Sequence, residues 1–174
     1  MEIRSESLIP YPRERVYLAF RDQLPEIVKY SPDIRELTVH ARTERDGVVS
    51  LHNEWVSAAD VPPIAAKLIR PDQLRWDDYA EWDAAAFTTA WTIKPRAFTD
   101  AVRCTGTNRF LEEGGSTRLI AEGTLDIDLR EIPGVPKFLA GTLGPQVERF
   151  IVGLITPNIQ QISGSIQKFL DDQR

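Results

Sequence analysis

The stretch LGPQVERFIVGLITPNIQQISGSIQKFL, residues 143–170, decides the fold of this chain. Its apolar side chains recur at steps of three and four, which places them on one stripe of an α-helix. The stripe consists of Leu143, Val147, Phe150, Ile151, Leu154, Ile155, Ile159, Ile162, Ile166, Phe169 and Leu170. A helix from Pro145 to Leu170 would be about 39 Å long, at roughly 1.5 Å per residue. A one-sided helix of that length needs a broad apolar surface to lie on.

Most other periodic segments alternate between apolar and polar residues, as half-buried strands do. A strand over Met1 to Ile9 is followed by short helical segments between prolines, and about six further strands precede the C-terminal helix. The sequence therefore predicts an α+β fold. In it, a curved antiparallel sheet of about seven strands wraps around the long helix, and two short helices follow the first strand. Pro157 is expected to kink the helix because proline removes a backbone hydrogen bond.

The first predicted hairpin joins residues 37–43 to residues 49–55. A two-residue turn at Asp46-Gly47 would put the apolar sets of the two strands on opposite faces, whereas a three-residue loop puts them together. The longer loop is therefore favoured. Its expected pairs are Thr43 with Val49, Ala41 with Leu51, and Leu37 with Trp55.

The second predicted hairpin joins residues 101–110 to residues 117–129 through a four-residue loop, Glu112 to Gly115. Its expected pairs are Phe110 with Thr117, Asn108 with Leu119, Gly106 with Ala121, and Cys104 with Gly123. The apolar residues of both strands then share the inner face, and charged residues and threonines occupy the outer face, as on a solvated sheet.

The inner face of this sheet combines large and small side chains, and they are the candidate ligand contacts. Small side chains in mid-sheet leave a volume that either the closely packed helix or a ligand must fill, and both alternatives remain open. Inward-facing asparagines need hydrogen-bond partners from protein, water or ligand. The candidate ligand-binding residues are Asn53, Trp55, Phe87, Trp91, Cys104, Gly106, Asn108, Phe110, Ala121 and Gly123 on the sheet, with Phe150, Leu154 and Asn158 on the helix.

Two histidines, His40 and His52, lie opposite each other on the outer face in the favoured register. Two imidazoles could share a metal ion, but a zinc site normally needs three or four protein ligands, and no third is evident. No metal and no cofactor are assigned. Cys104 is interpreted as a small apolar core residue, since no histidine is expected beside it to stabilise a thiolate.

Carboxylates cluster at Asp77, Asp78, Glu81 and Asp83, with Tyr79 and Trp82 between them. The cluster lacks the pattern of a calcium loop, so a solvated strand end with two buried aromatic residues is the preferred interpretation. No catalytic residue is assigned. Acid–base catalysis would need a titratable group in the cavity, for example Tyr79 or Asp77 if either side chain points inward.

Composition narrows the function classes and the expected compartment. A length of 174 residues indicates one domain, and a net charge of -5 without a basic run predicts no nucleic-acid partner. A single cysteine and an N-terminus without an apolar secretory segment favour the cytoplasm. The apolar segments 61–70 and 132–143 could cover the cavity, contact a membrane transiently, or form a homodimer interface.

The order of elements resembles the helix-grip fold of the START-like or SRPBCC superfamily, which includes birch-pollen-allergen-like proteins and polyketide cyclases. Glu54-Trp55 at a strand end, the apolar 61–70 segment and the last strand before the long helix also loosely resemble PRELI-type phospholipid-transfer domains. The resemblance implies a single ligand-binding domain over residues 1–174, with an interior cavity for an apolar or amphipathic small molecule or a lipid.

Binding or transfer of such a ligand, without catalysis, is the function expected from this resemblance. Two alternatives remain. One is an enzyme of the polyketide cyclase or aromatase type, and the other is a non-catalytic protein-interaction module.

Overall fold

Seven antiparallel strands and one long C-terminal helix make up the fold, seen in a computed structural model that describes residues 1–61, 70–97, 100–131 and 140–173. The strands are β1 (Glu2–Ile9), β2 (Ile34–Arg45), β3 (Val48–Ser57), β4 (Arg75–Asp83), β5 (Thr88–Pro95), β6 (Val102–Glu113) and β7 (Ser116–Ile127). The helices are α1 (Arg13–Asp22), α2 (Leu24–Ile27) and α3 (Ala140–Asp172). Short 3₁₀ turns cover Val28–Tyr30, Pro71–Gln73 and Leu129–Glu131.

The strands form one curved sheet in the order β1-β7-β6-β5-β4-β3-β2, with every neighbouring pair antiparallel. The two short helices follow β1, as expected, and α3 packs against the inner face of the sheet. The α+β helix-grip architecture predicted from the sequence is confirmed. Within the described ranges, no helix has the length and apolar content needed to cross a membrane.

The register of the first hairpin near its turn differs from the expected one. A two-residue turn joins β2 to β3, with Asp46 at φ 52° and Gly47 at φ 81°, so Ala41 pairs with His52. These positive φ values suit a type I′ turn, whose twist matches that of the strands. A bulge at His40 then shifts the register and brings Leu37 opposite Trp55, the pair that the longer loop also predicted.

The second hairpin also closes through a shorter turn than expected. Gly114 at φ 57° and Gly115 at φ 84° form a two-residue turn, again of the type I′ kind. The pairs are Phe110 with Leu119, Asn108 with Ala121, Gly106 with Gly123, and Cys104 with Leu125. The register differs from the expected one by two residues, and an even shift leaves each side chain on its expected face.

The C-terminal part of α3 is fixed to the rest of the domain by polar as well as apolar contacts. Ile166, Phe169 and Leu170 are buried against the sheet and the first helices. Four side-chain hydrogen bonds join this part of α3 to the N-terminal third of the chain: Ser163–Ser7, Ser165–Ser31, Tyr11–Asp171 and Tyr30–Asp172, at 2.6–2.9 Å. Helix α3 continues through Pro157, and the kink expected there stays a prediction.

A tryptophan-lined cavity as the candidate functional site

A cavity of about 80 Å³ lies between the sheet and α3. All four tryptophans of the chain line it: Trp55 on β3, Trp76 and Trp82 on β4, and Trp91 on β5. Helix α3 contributes Ile155, Asn158, Ile159 and Ile162 to the opposite wall. Apolar and aromatic walls with a small number of polar groups are typical of sites for small molecules.

Strand β4 supplies the charged group of the cavity. Successive side chains of a strand point to opposite faces, so Trp76, Asp78, Ala80 and Trp82 face inward together. The expectation of a solvated carboxylate cluster was therefore wrong for Asp78. Of the two aromatic residues expected to be buried there, Trp82 is buried. The expectation was wrong for Tyr79, which is 42% exposed on the outer face.

The Asp78 carboxylate is held across the strands by its neighbour on β3. Asn53 is buried and donates through Nδ2 to Asp78 Oδ2 at 3.1 Å. Burial raises the pKa of Asp78 to about 6, and the nearby donors of Asn53 and Trp55 and the charge of His52 offset only part of that effect. Asp78 is therefore a carboxyl group that can change protonation near neutral pH.

Two buried polar atoms beside Asp78 have no hydrogen-bond partner in the described part of the protein. They are Asn53 Oδ1 and Trp55 Nε1. The Trp55 indole favours the carboxylate electrostatically, yet its distance and angle do not make a hydrogen bond with Asp78. Buried polar groups of this kind are rare in folded proteins, and a bound polar group is one way to satisfy them.

Trp91 fills the space that the small residues of the sheet leave open. Its Nε1 donates to Asn108 Oδ1 at 3.1 Å, and its ring lies across Gly106 and Gly123. A Cβ atom at Gly123 would lie 2.6 Å from both the ring and the Thr105 carbonyl oxygen, and one at Gly106 would be closer still to the ring. The two glycines thus leave room for the Trp91 indole ring. The sequence analysis expected either the closely packed helix or a ligand to fill this volume, and it did not predict a tryptophan there.

The chain resembles known proteins in its fold. Neither the protein-family models nor the curated proteins give a match. Among solved structures, TTHA0849 from Thermus thermophilus is 25% identical, with a TM-score of 0.70 over 99% of each chain. The Zhui aromatase/cyclase from Streptomyces sp. R1128 is 12% identical, with a TM-score of 0.67 over 100% of this chain and 96% of that one.

A third similar structure is the di-domain ARO/CYC BexL from the BE-7585A biosynthetic pathway. It is 16% identical, with a TM-score of 0.63, over 97% of this chain and 49% of that one. The chain has the α+β helix-grip fold, which it shares with these solved structures. The looser likeness of this helix-grip domain to PRELI-type domains stays a prediction.

Four of the predicted contact residues line the cavity of the helix-grip domain: Trp55, Trp91, Asn108 and Asn158. Asn53 lies behind Asp78, while Gly106 and Gly123 lie under Trp91. Ala121 and Leu154 line two smaller voids of about 10 and 20 Å³. Asn158 also donates to the Leu154 carbonyl oxygen at 2.6 Å.

The remaining predicted residues lie away from the cavity. Phe87 precedes β5 at φ 52°, and its ring packs against Tyr17, as does the ring of Phe110. Phe150 is partly buried against the core outside the cavity walls. Cys104 is fully buried, and burial, with the charge of Asp78, raises the pKa of its thiol to about 12.

The outer face of the helix-grip domain carries the two histidines in an ionic cluster. His52 donates through Nε2 to Asp77 Oδ1 at 2.8 Å and stacks on Tyr79 at 4.5 Å. The His40 and His52 rings are 5.2 Å apart, close to the opposed arrangement that the sequence suggested. In the parts of the chain with described positions, no group of three metal-binding side chains occurs.

Proposed function

We propose that this helix-grip domain binds an apolar or amphipathic small molecule in the cavity between its sheet and α3. The cavity itself carries the proposal, because protein interiors are normally close-packed and an unfilled void forfeits dispersion contacts. A volume of about 80 Å³ is below the roughly 300–1,000 Å³ of sites for drug-sized molecules. The ligand would therefore be small, or would place one end of a longer molecule, such as a lipid, between the tryptophans.

Binding can be measured with N-phenyl-1-naphthylamine, a neutral apolar dye whose emission rises in apolar surroundings. We expect saturable binding of one dye per chain, with one end of the dye between the tryptophans, because the whole dye is larger than the cavity. The variant Ile159→Trp should weaken it by about tenfold or more, since a larger side chain fills the cavity and overpacking at such sites is costly. Leu18→Trp is the matched control, because Leu18 lies exposed on α1.

The variant Ile159→Trp must first be shown to fold, by circular dichroism and thermal unfolding. Equal dye affinity in folded Ile159→Trp, or dye binding that does not saturate in the unmodified protein, would contradict the proposal. Native mass spectrometry of the protein from its source cells would then identify any retained small molecule or lipid.

Asp78 favours a second function, acid–base catalysis of the cyclase or aromatase type. A carboxyl group in a cavity, with a pKa near neutral pH, can both accept and donate a proton. Two of the similar structures are named as aromatase/cyclases. The chemistry can be tested with a linear poly-β-ketone. Ring formation that is lost in Asp78→Asn and kept in Asp77→Asn would support catalysis, and equal product without protein would exclude it.

Other partners and the compartment stay predictions. Transient membrane contact, a homodimer and a role as an interaction module depend on segments 61–70 and 132–143, which lie largely outside the described residues. A cytoplasmic location likewise rests on the sequence alone.

A further inference from the structure

We infer that the cavity selects a small organic ammonium ion, with Asp78 as its counter-ion and the tryptophan rings as its walls. This inference rests on the proposed function and narrows it to one ligand class.

Asp78 is the one charged side chain among the described residues that line the cavity. The cationic side chains of His52, Arg75 and Arg96 have carboxylate partners on the outer face. His52 and Arg96 pair with Asp77, and Arg75 pairs with Glu54. A carboxylate desolvated in a cavity without a cation is costly, and a proton or a cationic ligand would relieve that cost.

The walls around Asp78 suit an organic cation. Trp55 and Trp76 lie nearly parallel, with ring centroids 6.0 Å apart and planes 12° apart, and Trp82 and Trp91 complete the aromatic lining. Indole faces attract cations, most strongly where water is excluded. An ammonium group could thus donate to Asp78 while its hydrocarbon part contacts Ile155 and Ile159.

A neutral ligand oxygen that accepts from protonated Asp78 is the competing possibility, and the two differ in their pH dependence. The pKa of Asp78 is about 6, so its charge is mostly present at pH 7 and mostly absent at pH 5. The titratable groups that act on or near it are His52 and Asp77 on the outer face and the neutral Cys104 thiol on β6. The described lining residues of α1, α2 and α3 carry no charge.

Benzylamine and benzyl alcohol are suitable probes, because they have similar size and differ in charge. Tryptophan fluorescence is a direct readout, since all four tryptophans line the cavity. At pH 7 we expect benzylamine to bind about tenfold more tightly or better than benzyl alcohol, given a desolvated cation–π contact and an ion pair. Its affinity should fall about tenfold at pH 5, in proportion to the ionised fraction of Asp78.

Two variants make the experiment decisive. Asp78→Asn should abolish the preference for benzylamine, and Asp77→Asn should keep it. Equal binding of both probes at pH 7, or a preference for benzylamine that survives Asp78→Asn, would overturn the inference. So would a benzylamine affinity that does not fall between pH 7 and pH 5. If the naphthylamine dye binds and benzylamine does not, the ammonium assignment fails alone. If no probe binds, the proposed function fails with it.

Discussion

Asp77 and Asp78 are adjacent residues with opposite electrostatic environments. Asp77 faces outward. Partial burial would raise its pKa, but hydrogen bonds from Arg96 and His52 outweigh that effect and hold the pKa below its usual value. Asp78 faces the cavity, where burial dominates and raises the pKa. The two carboxyls are thus expected to affect stability in opposite directions, which makes them a matched pair for mutagenesis.

Asp78→Asn should stabilise the protein at pH 7. Because the folded pKa of Asp78 is raised from 3.8 to about 6, the native state binds more protons than the unfolded state between these values. The free energy of unfolding therefore falls as pH rises from about 4 to 6, by about 3 kcal/mol at most. Urea unfolding should show a gain of about 1–3 kcal/mol for Asp78→Asn at pH 7 and almost none at pH 4.

Asp77→Asn is the control, with the opposite expectation. A lowered native pKa contributes stability above the unfolded pKa and loses it as pH falls, so this variant should be less stable at pH 7. A destabilised Asp78→Asn at pH 7 would contradict the assignment of an uncompensated buried carboxylate.

The glycines under Trp91 allow a second prediction at the residue scale. Gly106→Ala and Gly123→Ala should each cost about 1–3 kcal/mol or more, because the new methyl group would overlap backbone oxygen and the indole ring. Gly153→Ala, on α3 with open space around it, should instead stabilise by about 0.5–1 kcal/mol. Thermal unfolding distinguishes these effects, and wild-type stability of Gly106→Ala would contradict the described position of Trp91.

Asp78 could have been found from the sequence, and the signal was strand alternation. Once Trp76 and Trp82 are both placed inside, every second residue between them must face inward as well. Grouping the four carboxylates by charge concealed that alternation. The orientation of Trp91 over the glycines could not be predicted, because it depends on side-chain rotamers and not on residue pattern.

At the scale of elements, the parts of helix α3 before and after Pro157 differ in their contacts with the rest of the protein. The part after Pro157 has four side-chain hydrogen bonds to the first third of the chain and three deeply buried apolar residues. In the preceding turns Ile151 and Ile155 are buried, and Gly153 is exposed. Proline at position 157 cannot donate a backbone hydrogen bond to the preceding turn.

Hydrogen exchange should therefore be uneven along α3. We expect the amides of residues 162–170 to exchange at least about tenfold more slowly than those of residues 150–156, because local opening costs less where fewer contacts are broken. Mass spectrometry of the exchanged protein would measure the difference. Uniform protection along the helix would show that the two parts open together.

The sequence predicted both hairpins but neither turn length. Asp46-Gly47 and Gly114-Gly115 are each compatible with two-residue or longer loops, and the choice depends on backbone twist across the whole ladder. In the first hairpin the bulge at His40 reconciles the short turn with the buried Leu37–Trp55 pair. No periodicity argument could locate that bulge, because it leaves the apolar pattern of β3 unchanged.

At the scale of the whole molecule, the sequence was sufficient to predict the fold. The apolar stripe of α3 and the alternation of the strands admit few other ways to bury both surfaces together. The residues that line the cavity were harder to predict. Four of the thirteen candidate residues line it, and Asp78 was not one of the thirteen candidates. Volume between a helix and a sheet depends on how each side chain packs, and large residues such as Trp91 dominate it.

A crystal structure of the protein purified from its source cells, without added ligand, tests the central claim most directly. We expect electron density from a non-protein molecule between α3 and the four tryptophans, with a polar group within hydrogen-bonding distance of Asp78. A closed interior, with Ile159 and Ile162 packed directly onto Trp91 and no room for a ligand, would contradict it.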